Sequence, residues 1–188
     1  KMGQEGEKIM LLNGAEVTLD AKTLCIHADG KPVGIAGYMG SKATSCTEHT
    51  TDIYLECAYF TPQASAYHCR RYSAHSTAGT RYERGVDQGM QQNAFSRALC
   101  LIETYLLGKV SALTLHKAPR NDQPDVVMAK SLVSQTLGYH VLDARCRAIW
   151  QASGVEVKDS GDHWILTSPT WRYDLTIWQQ YVSEILRF

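Results

Sequence analysis

The segment Arg70 to Asp87, RRYSAHSTAGTRYERGVD, concentrates most of the side chains that could do chemistry. It sets His75, Ser76 and Thr77 beside two small residues, with Arg70, Arg71, Arg81 and Arg84 around them. An imidazole next to a hydroxyl suggests hydrolysis, but His75 and Ser76 do not make a nucleophile–base pair, because adjacent side chains on an extended segment point apart. No Gly-x-Ser-x-Gly elbow or phosphate-binding loop is present. A structural reading also fits: Thr80-Arg81-Tyr82-Glu83 has the form of a capping box, and Arg81, Glu83, Arg84 and Asp87 can pair at helical spacing. The second candidate is Glu56. It stands in Asp52–Phe60, where Ile53, Leu55, Cys57 and Tyr59 share one face and Tyr54, Glu56 and Ala58 the other. With both faces largely apolar, this reads as a central strand that places Glu56 in a partly apolar setting, where by itself it reads as a strand carboxylate paired with another group.

Composition narrows the function classes. The chain has 188 residues, 44% of them hydrophobic, enough for a sizeable core in one domain or two small ones. Nineteen Lys and Arg balance nineteen Asp and Glu, which disfavours a protein that grips nucleic acid mainly by neutralising phosphates. Any RNA contact would be a local patch, or would lie mostly in other parts of the protein. The six cysteines form no Cys-x-x-Cys pair, and the His and Cys spacings match no zinc template. They read as reduced thiols in a cytoplasmic protein. No apolar run suits a membrane span and no signal peptide appears. Lys1 enters a patterned segment at once and Phe188 stops inside a helical pattern, so a piece of a longer chain is expected.

The elements that must position these residues follow from turns and caps. Asn13-Gly14 between Ile9–Leu12 and Glu16–Leu19 predicts a hairpin, and Asp29-Gly30 between Thr23–His27 and Pro32–Ala36 a second. Gly34, Gly37 and Gly40 space a short apolar stretch, and residues 41–50 read as loop. Thr61-Pro62 starts a helix running to about Tyr72. Asp87 can cap a longer helix with Phe95, Leu99, Ile102 and Leu106 as its stripe and Gly108 as its stop, followed by a strand at Val110–Leu115. The polar run KAPRNDQP, Lys117 to Pro124, marks a boundary. Beyond it come a strand (Val126–Ala129), a helix capped by Ser131, a helix capped by Asp143, a hairpin turning at Asp159-Ser160-Gly161, and a last helix with Ile177, Tyr181, Val182 and Ile185 on one face. The expectation is an α+β chain: a mixed-sheet domain over 1–117, a linker at 118–124, and a small α+β, winged-helix-like domain over 125–188.

Three blocks then carry a resemblance. IAGYMGSK (Ile35–Lys42), TTDIYLECAYFTP (Thr50–Pro62) and RRYSAHSTAGTRYERGVD resemble, in order and spacing, the editing domain of the bacterial phenylalanyl-tRNA synthetase beta chain. The early segment GEKIMLLNGAEVTLDAKTLCIHADGKPVGIAG fits as well, and SPTWRYDLTIWQQYVSEILRF (Ser168–Phe188) resembles the start of the metal-contacting helix of the following domain.

The resemblance implies a beta chain that joins an alpha chain in a heterotetramer. Such an enzyme attaches phenylalanine to tRNA(Phe) with ATP and magnesium, while this region hydrolyses mischarged Tyr-tRNA. By the same resemblance Glu56 reads the phenolic hydroxyl, and Gly40 and Ala78 leave room for the ring. Ser76 stands where the family has a threonine near the reacting ester, and His75 matches the adjacent histidine. The family magnesium positions fall on Asp174, Gln180, Ser183 and Glu184, of which only Asp174 and Glu184 are carboxylates. Magnesium prefers hard, charged oxygen ligands, so no cofactor is expected in this stretch itself. Further departures are Ser76-Thr77-Ala78 for the family's Thr-Asp-Ala and Gly40-Ser41 for two glycines. The family segment carrying another editing-site histidine would precede Lys1. These departures sustain an alternative, a non-catalytic tRNA-contacting or assembly scaffold. A free-standing deacylase is disfavoured by the abrupt termini.

Overall fold

The structure, a computed structural model, describes residues 1–73, 76–115 and 124–188. The chain divides into two compact units, Lys1–Val86 with Gln91–Ser96 and Asp87–Met90 with Arg97–Phe188. Apart from Pro124, the expected linker lies outside the described residues, as does His75. Among the described residues no helix is long and apolar enough to cross a membrane.

The first unit starts with β1 (Lys8–Met10) and β2 (Glu16–Thr18), paired antiparallel. Of Asn13-Gly14 only Gly14 takes a positive φ, 85°; Asn13 instead accepts the Ala15 N–H on its side-chain oxygen at 3.0 Å. β3 (Cys25–Ala28) and β4 (Lys31–Ile35) form the second hairpin, and here both turn residues have positive φ, Asp29 at 48° and Gly30 at 79°. β5 (Met39–Gly40) extends this sheet to the order β3-β4-β5. Ile9, Leu11, Leu19, Cys25, Ile35 and Tyr38 make the core. Every sheet in the described residues is antiparallel, so α+β holds but the expected mixed sheet does not: no strand–helix–strand crossover there returns a parallel neighbour.

Helix α1 (Pro62–Tyr72) begins as Thr61-Pro62 predicts, with the Thr61 hydroxyl accepting the Ala64 N–H. It is held to the sheet by polar contacts. His68, fully buried, accepts the Leu24 N–H at Nε2 (3.1 Å) and donates from Nδ1 to the Ala36 carbonyl (3.0 Å). Asp20 accepts hydrogen bonds from Tyr67, Thr23 and Arg71, and the Tyr67 hydroxyl does most to hold its carboxyl well below the usual carboxylate range.

His68 gives a pH prediction. Burial lowers its pKa below the ordinary 6.5, outweighing the Ala36 carbonyl that favours the cation. The folded state therefore binds fewer protons than the unfolded one. Stability from this group is complete above pH 6.5 and is lost as pH falls below it, when a protonated Nε2 would face the Leu24 N–H. Urea denaturation from pH 7.5 to 5 should show falling stability in the wild type and a flatter profile in His68→Phe. That variant is also less stable at pH 7.5, since each orphaned backbone group costs about 1–3 kcal/mol. A wild-type profile as flat as the variant's would refute this.

Helix α2 (Thr77–Arg84) is capped by Ser76, not by the expected Thr80 box; Thr80 lies inside the helix. Helix α3 (Gln91–Leu106) has no side-chain cap, and Asp87 instead accepts the Gly89 N–H in the turn before it. Its stop is Leu107, left-handed at φ 53°, rather than Gly108, and Leu106 is exposed instead of completing the stripe. Two expected strands, Asp52–Phe60 and Val110–Leu115, are irregular. Alternation supplies the side chains for a strand but not its main-chain partner. β5 is only two residues long, and after it Ser41 caps a 3-10 turn (Lys42–Thr44). Ile53 and Leu55 are left 52% and 39% exposed.

The second unit runs β6 (Val126–Ala129), α4 (Ser131–Leu137), α5 (Asp143–Ala152), β7 (Glu156–Ser160), β8 (His163–Thr167) and α6 (Trp178–Arg187). Its sheet has the order β6-β8-β7. Ser131 and Asp143 are first residues of their helices, not caps; the Asp143 carboxylate pairs with Lys130 at 3.2 Å. The hairpin turns at Gly161-Asp162, later than expected, because Ser160 still pairs with His163 and Gly161 supplies the positive φ of 68°. Trp150, Trp164 and Tyr181 fill the core with Met128, Leu166 and Leu175. On α6 Tyr181, Val182 and Ile185 are buried, whereas Ile177 is exposed at the helix start.

Candidate functional site

A cavity of about 710 Å³ opens in the first unit, with Gly40, Glu56, Phe60, Ser76, Ala78 and Tyr82 in its lining. That volume suits a small molecule or a single side chain with its attached group. Four candidates from three separate segments, Gly40, Glu56, and Ser76 with Ala78, thus meet at one site.

Each is placed by a local rule. Gly40 ends β5 opposite Gly34, and a Cβ there would meet only Leu12, at 3.5 Å, so its lack of a side chain is space left to the cavity. Ser76 donates to the Tyr38 carbonyl (2.6 Å) and accepts the Gly79 N–H (2.9 Å). Its proton is committed, but a hydroxyl oxygen has two lone pairs, and one remains to accept from a water in the cavity. Gly79 lets α2 pack closely, since a Cβ there would lie 2.7 Å from Cys69 Sγ. Ala78 and Tyr82, four apart on α2, share a helix face. One leaves space; the other closes the site with an aromatic ring.

Glu56 is the sole charged side chain among the described lining residues. As a residue it is exposed, yet apolar neighbours partly desolvate its carboxyl, and burial raises its pKa above the ordinary carboxylate value. A lone carboxylate in a mainly apolar, aromatic-walled cavity can accept a charge-assisted hydrogen bond from a neutral donor such as a phenol.

The magnesium positions form a different arrangement. Arg172 binds Asp174 with Nε and Nη2 at 2.9 and 2.8 Å and reaches Glu184 Oε1 at 3.1 Å, while Arg187 binds the same Glu184 oxygen at 2.9 Å. Gln180 accepts the Thr176 and Ile177 N–H groups at the start of α6, and Ser183 donates to the Gln179 carbonyl. Among the described residues no group of three His, Cys, Asp or Glu is placed to hold a metal. These residues do not fit a magnesium ion: arginines already neutralise both carboxylates. Millimolar magnesium is expected to leave the thermal midpoint of the chain unchanged, whereas a site at a hundred times its Kd would add about 2.7 kcal/mol. A dose-dependent rise in a melting scan would contradict this.

Sequence comparison gives the family of each part. The profile of the B3/4 domain matches residues 1–106. The chain belongs to the B3/4 domain family. A second match, to the tRNA synthetase B5 domain, covers residues 126–188. Along its whole length the chain is 33% identical to the phenylalanine–tRNA ligase beta subunits of Vibrio vulnificus (strain YJ016) and Vibrio cholerae serotype O1. The alignments take in 100% of this chain and 24% of each relative, so the chain corresponds to a region of such a beta subunit. The cavity lies wholly in the B3/4 part, and the Arg172 cluster in the B5 part.

Reading the B3/4 sequence missed Phe60 and Tyr82 as cavity walls. The position of Tyr82, four residues after Ala78, could have flagged it once α2 was started at Ser76 instead of Thr80. His68 left no signal: a lone histidine on a helix reads the same buried or exposed.

Proposed function

We propose that the B3/4 cavity is the proofreading site of a phenylalanine–tRNA ligase, where the ester of Tyr-tRNA(Phe) is hydrolysed. The observation that carries this is the meeting of a lone carboxylate, Glu56, with two positions lacking bulk, Gly40 and Ala78, in a cavity walled by Phe60 and Tyr82. In this reading the complete enzyme pairs the beta subunit with an alpha subunit in a heterotetramer. It charges tRNA with phenylalanine using ATP and magnesium at a site on the alpha subunit, in the cytoplasm. An apolar charging site rejects an added hydroxyl only about a hundredfold, so a second site that favours the hydroxyl supplies the remaining discrimination.

The tyrosine ring enters between the aromatic walls over Gly40 and Ala78, and its phenol donates to Glu56. Phenylalanine would leave that carboxylate without its partner. Water adds to the ester carbonyl; the bond to the tRNA ribose oxygen breaks and that oxygen takes up a proton, giving tyrosine and free tRNA. The Ser76 oxygen accepts a hydrogen bond from the attacking water and so orients it, without a covalent intermediate. His75, next in the chain, is a further candidate for this step.

The test is Glu56→Ala in the full-length two-subunit enzyme. Losing a hydrogen bond to a charged acceptor costs about 1.5–3 kcal/mol, on the order of ten- to a hundredfold in deacylation of Tyr-tRNA. Phenylalanine charging should be unchanged. A meta-hydroxylated analogue lacking the para hydroxyl should lose little, so the gap between the two substrates narrows. Unchanged Tyr-tRNA deacylation would instead favour the scaffold reading.

A further inference from the structure

Glu56 sits in a segment with no strand to hold it, which raises the question of what fixes a carboxylate expected to read one hydroxyl. Residues 51–60 take no regular structure, and Glu56 is exposed. The anchor nearest to it that comes from the cavity wall is Tyr82, whose hydroxyl donates to the Ala58 carbonyl at 2.8 Å, two residues along the chain. The Tyr82 and Phe60 rings meet at 5.3 Å and 60°, which fastens the end of the same segment. A further contact, Cys57 Sγ to the Gln91 carbonyl at 3.5 Å, is a weak thiol bond between residues outside the lining.

Tyr82 is well placed to be a fixed post. It rides on α2, whose start is tied to the sheet through Ser76 and the Tyr38 carbonyl and whose Gly79 packs against Cys69. We propose that Tyr82 is the positioning residue for Glu56: its hydroxyl pins the Ala58 backbone and so holds the Glu56 carboxylate where a para hydroxyl meets it, while its ring forms a cavity wall. This rests on the proofreading reading and deepens it. Tyr82 does not touch the reacting ester; it sets specificity through Glu56.

The experiment is a double-mutant cycle in the full-length two-subunit enzyme, with Tyr82→Phe, Glu56→Ala and the double variant. Tyr82→Phe keeps the ring and removes only the hydroxyl. The readout is the ratio of deacylation rates for Tyr-tRNA and the meta-hydroxylated analogue, a quantity that a general loss of folding does not move. Tyr82→Phe is expected to lower this ratio about three- to tenfold, the factor an ordinary net hydrogen bond carries. In the Glu56→Ala background it should lower it no further, because the group it positions is gone. If Tyr82→Phe slows both substrates equally, or its effect multiplies with that of Glu56→Ala, Tyr82 only supports the fold and the proposal is overturned. If Glu56→Ala narrows the ratio and Tyr82→Phe does not, this inference fails while the proofreading reading survives. If Glu56→Ala leaves the ratio unchanged, both fall.

Discussion

Trp150→Ala is expected to destabilise the B5 unit by about 3–5 kcal/mol, the usual cost of emptying a large aromatic site in a core. Trp150 is fully buried, meets Trp164 edge to face at 4.9 Å and Tyr181 at 6.3 Å, and donates from Nε1 to the Tyr181 carbonyl at 2.9 Å. A helix, a strand and the last helix thus share one side chain. A unit of this size has a small core and stability near the lower end of the common range, so the loss takes up much of it. Amide exchange in β8 and α6 should speed up by about two to four orders of magnitude. Leu186→Ala is the control: it lies on α6 of the same unit but is 66% exposed, and a surface change of that kind stays within about 0.5 kcal/mol. Similar protection in the two variants would show that the aromatic cluster is not what holds this unit.

Gly40→Trp should remove deacylation almost entirely, while Gly40→Ala is tolerated. A Cβ at Gly40 meets only Leu12 at ordinary contact distance, so alanine fits without moving the sheet. An indole at this point projects into the cavity that is read as receiving the tyrosine ring. An aromatic ring buries 150 Å² or more, worth about 4 kcal/mol, so excluding it costs several hundredfold in rate. The effect differs in kind from Glu56→Ala. Both the para- and meta-hydroxylated substrates slow together, because the ring itself is blocked, and phenylalanine charging continues. Retained Tyr-tRNA deacylation in Gly40→Trp would place the reaction elsewhere. The contrast with Gly37 is instructive: there φ is +63° and a Cβ would lie 2.8 Å from Ser65 Oγ, so even alanine at Gly37 tests folding and not the pocket.

Both carboxylates expected at magnesium positions, Asp174 and Glu184, are bound by arginines in the B5 unit. Arg172 satisfies Asp174, and its hydrogen bond does most to hold that carboxyl below the usual value. Charge neutralisation of both carboxylates thus comes from within the chain.

The sequence by itself determined what depends on near neighbours in the chain. Gly14, and Asp29 with Gly30, dictate their hairpins because few residues accept positive φ; Thr61-Pro62 dictates the start of α1 because a cap and a preset φ coincide. The small positions Gly40 and Ala78 and the carboxylate Glu56 came together as a set only through the family resemblance of the motifs that hold them. Tertiary structure alone decided what depends on partners far along the chain. Alternation in Asp52–Phe60 described a strand, but a strand needs a neighbour's main chain, and none among the described residues supplies it. Ser76 rather than Thr80 caps α2 because the Tyr38 carbonyl, 38 residues away in sequence, binds its hydroxyl. His68 is buried because Leu24 and Ala36 each offer it one hydrogen bond from the sheet side, and Tyr82 faces Glu56 because α2 packs where it does. Local conformational preference is written in adjacent residues, whereas pairing, burial and the meeting of side chains in a cavity exist only once distant segments have packed together.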